Sequence, residues 1–128
     1  MHCAALADDW APLAAALRAN RDGTRTVVRS FPGARIVHLS TSSVYDAFGP
    51  NIDVPESAAP VRRFLSSYSE SKTYAEFELA GTDAVILRPH AVYGPGDTTL
   101  LPRLIAGVRR GRLVLPEGAA VRHSLTHI

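Results

Sequence analysis

The stretch RIVHLSTSS, residues 35–43, decides the fold class of this chain. Its first half is short and rich in β-branched and apolar residues, which is typical of a buried strand. Four hydroxyl residues then follow without interruption, Ser40, Thr41, Ser42 and Ser43. In an open parallel sheet, ligands bind beyond the carboxyl ends of the strands. The stretch therefore predicts a buried strand that ends in a polar loop at a functional site.

Strands and helices alternate on both sides of this stretch. Residues 8–29 carry an approximate helical stripe that Asn20 and Gly23 interrupt, so they form either two helices or one kinked helix. Ser66 or Ser67 caps a helix that continues through Leu79. The other predicted elements are a strand end at 1–5, a long loop at 46–66, strands at 84–87, 113–115 and 122–128, and a helix at 99–110. The alternation predicts an α/β fold with a parallel sheet and helices on both faces.

Composition and charge argue against several classes of partner. With 46% apolar and 20% charged residues, the chain is typical of a globular domain. The net charge is +2 and the basic residues form no run longer than a pair, so nucleic acid is not an expected partner. No apolar stretch reaches the roughly 20 residues that span a bilayer, and no signal peptide is recognisable, so no membrane partner is expected. The single cysteine, Cys3, predicts neither a disulfide nor a metal cluster and favours a cytoplasmic location.

The basic residues are distributed unevenly between the two residue types. The chain has thirteen arginines and a single lysine, Lys72. A compact ammonium can do what a planar guanidinium cannot, so a lysine that survives in an arginine-rich chain suggests a catalytic role. Chance in a chain with few lysines is the alternative interpretation.

Tyr68 precedes Lys72 by four residues near the beginning of a predicted helix. This spacing brings both side chains to one face of the helix. A nearby ammonium favours the phenolate over the phenol, so the pair can act as an acid/base at neutral pH. The alternative is a surface tyrosine with an unrelated lysine one turn later.

Five motifs, in order, resemble those of the extended short-chain dehydrogenases/reductases, also called the NAD-dependent epimerase/dehydratase superfamily. The Tyr-x-x-x-Lys motif is residues 68–72, and STSSVY, residues 40–45, resembles the catalytic Ser/Thr strand. The other three are HCAA at 2–5, the Asn-x-x-Gly-Thr motif at 20–24 and RPHAVYGPG at 88–96. The resemblance covers nearly the whole chain and implies a Rossmann-like domain that uses NAD or NADP as its cofactor.

The resemblance also implies roles for single residues. Tyr68 is the expected acid/base, and Lys72 is expected to bind the nicotinamide ribose and to lower the pKa of Tyr68. Thr41 is expected to orient the reacting oxygen, with Ser40 or Ser42 as alternatives. The expected cofactor contacts are Ala4, Ala5, Leu6, Asn20, Tyr68, Lys72 and His90, and no metal ligands are expected. The alternatives are a local backbone role for Asn20 and a packed or solvent-facing ring for His90.

The chain also departs from the family pattern. The first three strands of the fold and the glycine-rich loop that seats the pyrophosphate have no counterpart here, and the match begins within the fourth strand. We therefore expect residues 1–128 to be a single partial NAD(P)-binding Rossmann-like domain, with the substrate lobe beginning at about residue 97. By themselves, these residues are expected to be inactive and to bind NAD(H) or NADP(H) with less than normal affinity.

Two functions are open at this point. The first is an NAD(P)-dependent oxidoreductase or epimerase that transfers hydride at a secondary alcohol or ketone of a nucleotide sugar, a steroid-like molecule or another keto or hydroxy compound. Ser42 and Ser43 stand where nucleotide-sugar dehydratases carry an acidic pair, which disfavours dehydration. The second is a non-catalytic, truncated remnant or binding partner of the same fold. A homo-oligomer is expected, because residues 1–5 would present an unpaired strand edge.

Overall fold

The structure is a computed structural model that describes residues 1–114 and 122–128. These residues divide into two units, Met1–Arg88 and Pro89–Ile128. Each unit combines a small parallel sheet with at least one helix, which is the pattern of an α/β protein.

The sheet of the first unit forms around the strand predicted from residues 35–43. This strand, β1, spans Ile36–Leu39 and pairs in parallel with β2, Ala84–Leu87. On its other edge, His2 forms a parallel bridge with His38. Parallel neighbours need a crossover connection, which a helix supplies here. The predicted strands at 35–39 and 84–87 are confirmed, and the segment at 1–5 contributes one bridging residue.

The helical stripe at the N-terminus forms one interrupted helix. Helix α1, Leu13–Leu17, continues into a π-helical turn at Arg18–Asp22 and then into α2, Gly23–Ser30. Pro12 precedes the first turn, where its missing N–H costs nothing, and its carbonyl accepts from the backbone of the next turn. The π-helical turn carries Asn20, which is buried. Of the two alternatives, the single interrupted helix is therefore correct.

Helix α3, Ser67–Phe77, provides the crossover from β1 to β2. Ser66 is its N-cap, and the side chains of Ser66 and Ser69 each accept from the other residue's backbone N–H in a capping box. The helix ends at Phe77, slightly before the predicted Leu79, and Gly81 with φ +77° takes the left-handed conformation that the following turn requires. The helix packs against α1 and the π-helical turn.

The interior of the first unit is unusually polar. Its fully buried apolar side chains are small or few: Ala16, Ile36, Val44, Ala75 and Leu79. The buried polar and charged residues outnumber them: His2, Asn20, Thr24, His38, Ser40, Thr41, Ser69, Ser71, Lys72, Thr73 and Glu76. Buried polar groups need partners, so this interior is held largely by specific hydrogen bonds.

The second unit contains a short parallel pair and one helix. Strand β3, Ala91–Tyr93, pairs with β4, Leu125–His127. Helix α4 spans Leu100–Gly107, and the Asp97 carboxylate accepts from the backbone N–H groups at its beginning. No helix among the described residues is long and apolar enough to cross a membrane.

Three expectations for this unit need correction. The helix predicted for 99–110 ends at Gly107, because Arg109 and Arg112 form an antiparallel bridge around a turn with left-handed backbone at Arg110 and Gly111. Of the strand predicted for 113–115, the first two residues lie outside any strand, and Leu115 lies outside the described residues. The strand predicted for 122–128 shortens to β4, and β3 was not predicted.

Candidate active site

The hydroxyl residues that follow β1 have different partners. Thr41 begins a short 3-10 turn, Ser42–Val44, where its hydroxyl oxygen accepts from the Ser43 backbone at 3.2 Å and donates to the Ser43 hydroxyl at 3.1 Å. Ser40 is buried and donates to the Glu76 carboxylate. Ser40 is therefore committed to an internal contact, whereas the Thr41 hydroxyl lies at the strand end beside α3.

Tyr68 is the second residue of α3 and is half-buried. Burial raises the pKa of its phenol, and the Asp9 carboxylate acts in the same direction, while an interaction with the Thr41 side chain works toward a lower pKa. The structure thus brings Thr41 and Tyr68 together. The net effect differs from the expectation that Lys72 lowers the pKa of Tyr68: burial dominates, and the phenol stays protonated at neutral pH.

Lys72 follows one turn later on α3 and is 1% exposed. Its Nζ donates to the carbonyl oxygen of Leu39 at 2.6 Å and lies 3.4 Å from Nε2 of His38. The ammonium is therefore directed at the carboxyl end of β1. Burial lowers the pKa of Lys72 to about 8, against the opposing influence of Glu76 and Cys3.

Asn20 holds in place the segment around Leu6, which follows the bridging residue His2. Its Oδ1 accepts from the Leu6 backbone at 2.7 Å, and its Nδ2 donates to the Leu6 carbonyl at 3.1 Å and to the Ser71 hydroxyl at 2.8 Å. Every polar atom of this buried amide is thus engaged within the protein. Ala4 and Ala5, the two residues before Leu6, are exposed.

His90 belongs to the second unit. Its backbone N–H donates to the Thr126 hydroxyl at 3.2 Å, and its ring meets that of His123 edge to face, with centroids 6.2 Å apart. The structure thus gives His90 a packing partner, and its predicted contact with the cofactor stays a prediction. Within residues 1–114 and 122–128, no three His, Cys, Asp or Glu side chains are grouped as metal ligands would be.

Comparison with known proteins identifies the family and the fold of the chain. The sequence pattern of the NAD dependent epimerase/dehydratase family matches residues 1–127. The chain belongs to this family. Its fold is accordingly an incomplete Rossmann-like fold, as predicted.

Two relatives with assigned names are reductases of keto compounds. The chain is 34% identical to the 4-hydroxy-2-methyl-3-oxo-4-farnesyl-3,4-dihydroquinoline-1-oxide ketoreductase of Stigmatella aurantiaca, over 99% of the chain and 40% of that protein. It is also 34% identical to the 2-alkyl-3-oxoalkanoate reductase of Stenotrophomonas maltophilia, over 99% of the chain and 42% of that protein. The chain thus spans about two fifths of the length of these relatives.

A solved structure shares the fold as well. MoeE5 in complex with UDP-glucose and NAD superposes with a TM-score of 0.67 at 31% identity. The match covers 86% of this chain and 41% of MoeE5.

Three residues of this epimerase/dehydratase-family chain that contact the site were not predicted for it. His38 lies against Lys72, and Arg88 pairs with Glu76 through two hydrogen bonds of 3.0 and 2.7 Å. Two sequence signals existed. A polar residue interrupts the apolar run of β1 at position 38, and Glu76 follows Lys72 by four residues, on the same face of α3.

Proposed function

We propose that the full-length gene product is an NAD(P)-dependent oxidoreductase that reduces a ketone or oxidises the corresponding secondary alcohol. Family membership and the two keto-reductase relatives support this reaction class. When bound, NAD(P)H supplies the hydride. The residues of this chain then have to hold the cofactor and move one proton.

The pairing of Tyr68 with Thr41 carries the proposal. Thr41 follows closely after the end of β1, in the region where ligands bind in open α/β sheets, and its side chain interacts with that of Tyr68. The pKa of Tyr68 is raised by burial, so the phenol holds its proton at neutral pH. A protonated phenol beside a second hydroxyl is suited to donate its proton to the oxygen of a carbonyl group whose carbon receives hydride. We infer that Tyr68 is the acid and that Thr41 orients the oxygen.

We propose that the segment around Ala4, Ala5 and Leu6 contacts the nicotinamide half of the dinucleotide. The exposed Ala4 and Ala5 have small side chains, which allow a flat ring to approach the backbone, and Asn20 holds Leu6 in place. We propose that Asn20 is a positioning residue for this segment rather than a direct cofactor contact, because its amide is fully used. The role of His90 beside the nicotinamide is carried over from the family resemblance as part of the proposal.

Lys72 is proposed to bind the nicotinamide ribose. Two of its three N–H donors face Leu39 and His38, which leaves one donor for a ribose hydroxyl. Because Lys72 is 1% exposed, this contact requires a small outward movement of the side chain.

A nucleotide-sugar epimerase is the second candidate. Its support is the likeness to MoeE5, whose structure contains UDP-glucose and NAD. The two candidates differ in net redox change: a reductase consumes NAD(P)H in step with its substrate, whereas an epimerase returns its cofactor unchanged.

The test combines substrate choice with a matched pair of variants. The full-length gene product should oxidise NADH or NADPH when given a 2-alkyl-3-oxo ester and should leave UDP-glucose unchanged. Tyr68→Phe should lower turnover by about 10²–10⁴-fold and leave cofactor affinity within a few-fold, since the proton is lost and the ring is kept. Tyr74→Phe on the same helix is the control, because Tyr74 is exposed and its ring lies near those of Phe64 and Phe77. Turnover of Tyr68→Phe within about threefold of wild type would remove Tyr68 as the acid.

A further inference from the structure

His38 is a buried titratable residue that the proposed reaction does not use. It is the third residue of β1 and is 1% exposed. Nε2 of its ring lies 3.4 Å from Nζ of Lys72, and the carbonyl of the next residue, Leu39, accepts from the same Nζ at 2.6 Å. Two consecutive residues of one strand thus face one ammonium.

The other ring nitrogen of His38 has no compensating contact. Nδ1 is buried and has no hydrogen-bond partner among the described residues. A buried polar atom without a partner costs free energy, so the imidazole is not explained by its own hydrogen bonding. The contact through Nε2 is the compensating interaction that the structure offers.

The neighbouring His2 shows the opposite situation. Its Nε2 lies 3.0 Å from the Thr24 hydroxyl, which itself donates to the Asn20 carbonyl at 2.7 Å. The Thr24 oxygen must then accept, so Nε2 of His2 carries a proton. Lys72, by contrast, has only donors, so Nε2 of His38 must be the unprotonated nitrogen. The two neighbouring rings, with centroids 5.1 Å apart, therefore require opposite tautomers.

From this geometry we infer that His38 is a positioning residue for Lys72: its neutral ring accepts from the ammonium and, with the Leu39 carbonyl, fixes Nζ at the carboxyl end of β1. The inference deepens the proposed function, because it concerns the residue proposed to bind the ribose. His38 is buried, and its proposed role is to act through Lys72.

The charges around Lys72 agree with this role. The titratable groups that face it are His38 on β1, His2 and Cys3 on the N-terminal segment, and Glu76 on its own helix. Burial and the Lys72 charge lower the pKa of His38 to about 3, and the pKa of His2 is also lowered. Both rings are thus uncharged at neutral pH, and the cluster carries its positive charge on Lys72.

The first test needs no variant. In the full-length gene product labelled with ¹⁵N-histidine, the ring nitrogens of His38 should report a neutral Nδ1–H tautomer at neutral pH, and those of His2 a neutral Nε2–H tautomer. The His38 signals are assigned by their loss in His38→Gln. A proton on Nε2 of His38 would overturn the inference, since that nitrogen could not then accept from Lys72.

The second test follows the lysine itself. Lys72 is the single lysine of residues 1–128, so its ¹³Cε signal, assigned by its loss in Lys72→Arg, reports its pKa. His38→Leu removes the acceptor and should lower the pKa of Lys72 by about one or more. His38→Gln keeps an acceptor oxygen and should restore most of the wild-type value, which a merely structural role would not do. An unchanged pKa in folded His38→Leu, or equal changes in both variants, would overturn the inference.

These measurements are made without cofactor or substrate. They therefore separate the two proposals: an inactive protein with the predicted tautomers and pKa changes would refute the oxidoreductase and retain the His38 contact. An active protein that lacks the predicted tautomers and pKa changes would retain the oxidoreductase and refute the His38 contact. If His38→Leu fails to fold, the tautomer of the wild-type ring decides the question.

Discussion

Tyr68 lies in surroundings that oppose its ionisation. Burial and the Asp9 carboxylate both raise the pKa of the phenol, and the Thr41 side chain offsets them in part. Asp9 also accepts from the Ser66 hydroxyl at 2.7 Å, which ties the segment before α1 to the beginning of α3. The acid of the proposed reaction is thus adjusted by a carboxylate that the Tyr-x-x-x-Lys motif does not include.

Lys72→Arg is predicted to impair the full-length gene product although it conserves charge. Nζ occupies a buried niche 2.6 Å from the Leu39 carbonyl, and a planar guanidinium cannot fit there without displacing α3 or β1. A misplacement of about 1 Å can cost about 10²-fold in rate, so we expect kcat/KM to fall by about that factor. Arg25→Lys, the reverse exchange at a surface ion pair, is the control. Full activity of Lys72→Arg would mean that the lone lysine has no special role.

The lowered pKa of His38 predicts a pH dependence of stability. Its pKa is about 3 in the folded protein and about 6.5 when unfolded, so between these values only the unfolded state binds the proton. Stability is therefore lost as the pH falls from about 6.5 toward 3, by at most about 1.4 kcal/mol per pH unit for this group. Urea denaturation across this range should show a shallower loss in His38→Gln than in wild type. Equal slopes would mean that His38 titrates normally.

The sequence could predict the catalytic candidates but not their contacts. Thr41, Tyr68 and Lys72 follow from motifs and from the spacing along one helix. The target of Lys72 did not follow, because Leu39 and His38 approach it from a strand more than thirty positions earlier in the chain. Likewise, the sequence shows an ammonium near a phenol but not the burial that outweighs it in the pKa of Tyr68.

At the scale of elements, Arg88 joins the end of β2 to α3 and to the long loop. Its guanidinium pairs with the Glu76 carboxylate and donates to the carbonyls of Glu56 at 2.8 Å and Ala59 at 3.3 Å. It also donates to the Tyr45 hydroxyl at 3.3 Å. One side chain thus anchors a loop of little regular structure.

Loss of this anchor should be costly. The side chains of Arg88 and Glu76 are 13% and 3% exposed, so Arg88→Met leaves a buried carboxylate without its cation. We expect the free energy of unfolding to fall by about 3–5 kcal/mol in urea denaturation. Arg25→Met is the matched control: Arg25, on α2, pairs with Glu78 at the end of α3, the two side chains are 39% and 20% exposed, and the loss should cost about 1 kcal/mol or less. Similar losses in both variants would contradict the anchoring role.

The π-helical turn is a feature that the sequence pattern predicts only in part. Asn20 and Gly23 interrupt the apolar stripe, which reveals an irregularity in the helix but not its type. An inserted residue in a π-helical turn changes which side chains face inward, and here it buries Asn20 against Leu6 and Ser71. The local sequence carries no record of those partners, because they come from other elements.

At the scale of the whole molecule, the alternation of strands and helices predicted the fold class correctly. The errors concentrate in the second unit, where strands of three residues depend on pairing between segments more than thirty positions apart. Ala91–Tyr93 has no flanking pattern long enough to indicate a strand. In the first unit, by contrast, the sequence indicates the polar interior through its clusters of hydroxyl residues, such as 40–43 and the serines of α3.

The burial of Lys72 predicts how fast a lysine-specific protease cleaves the chain. An endoprotease that cleaves after lysine finds one target bond in residues 1–128, between Lys72 and Thr73, in the middle of α3. A protease must bind several residues in extended form, so this bond can be cut only when α3 opens. Digestion of the chain, followed by mass spectrometry of its two fragments, should be slow in buffer and accelerate steeply with urea. Cleavage in buffer at the rate of the fully unfolded chain would show that α3 is already open at Lys72 in the folded protein. The rate of cleavage after Lys72, the residue proposed to bind the ribose, therefore measures how often α3 opens.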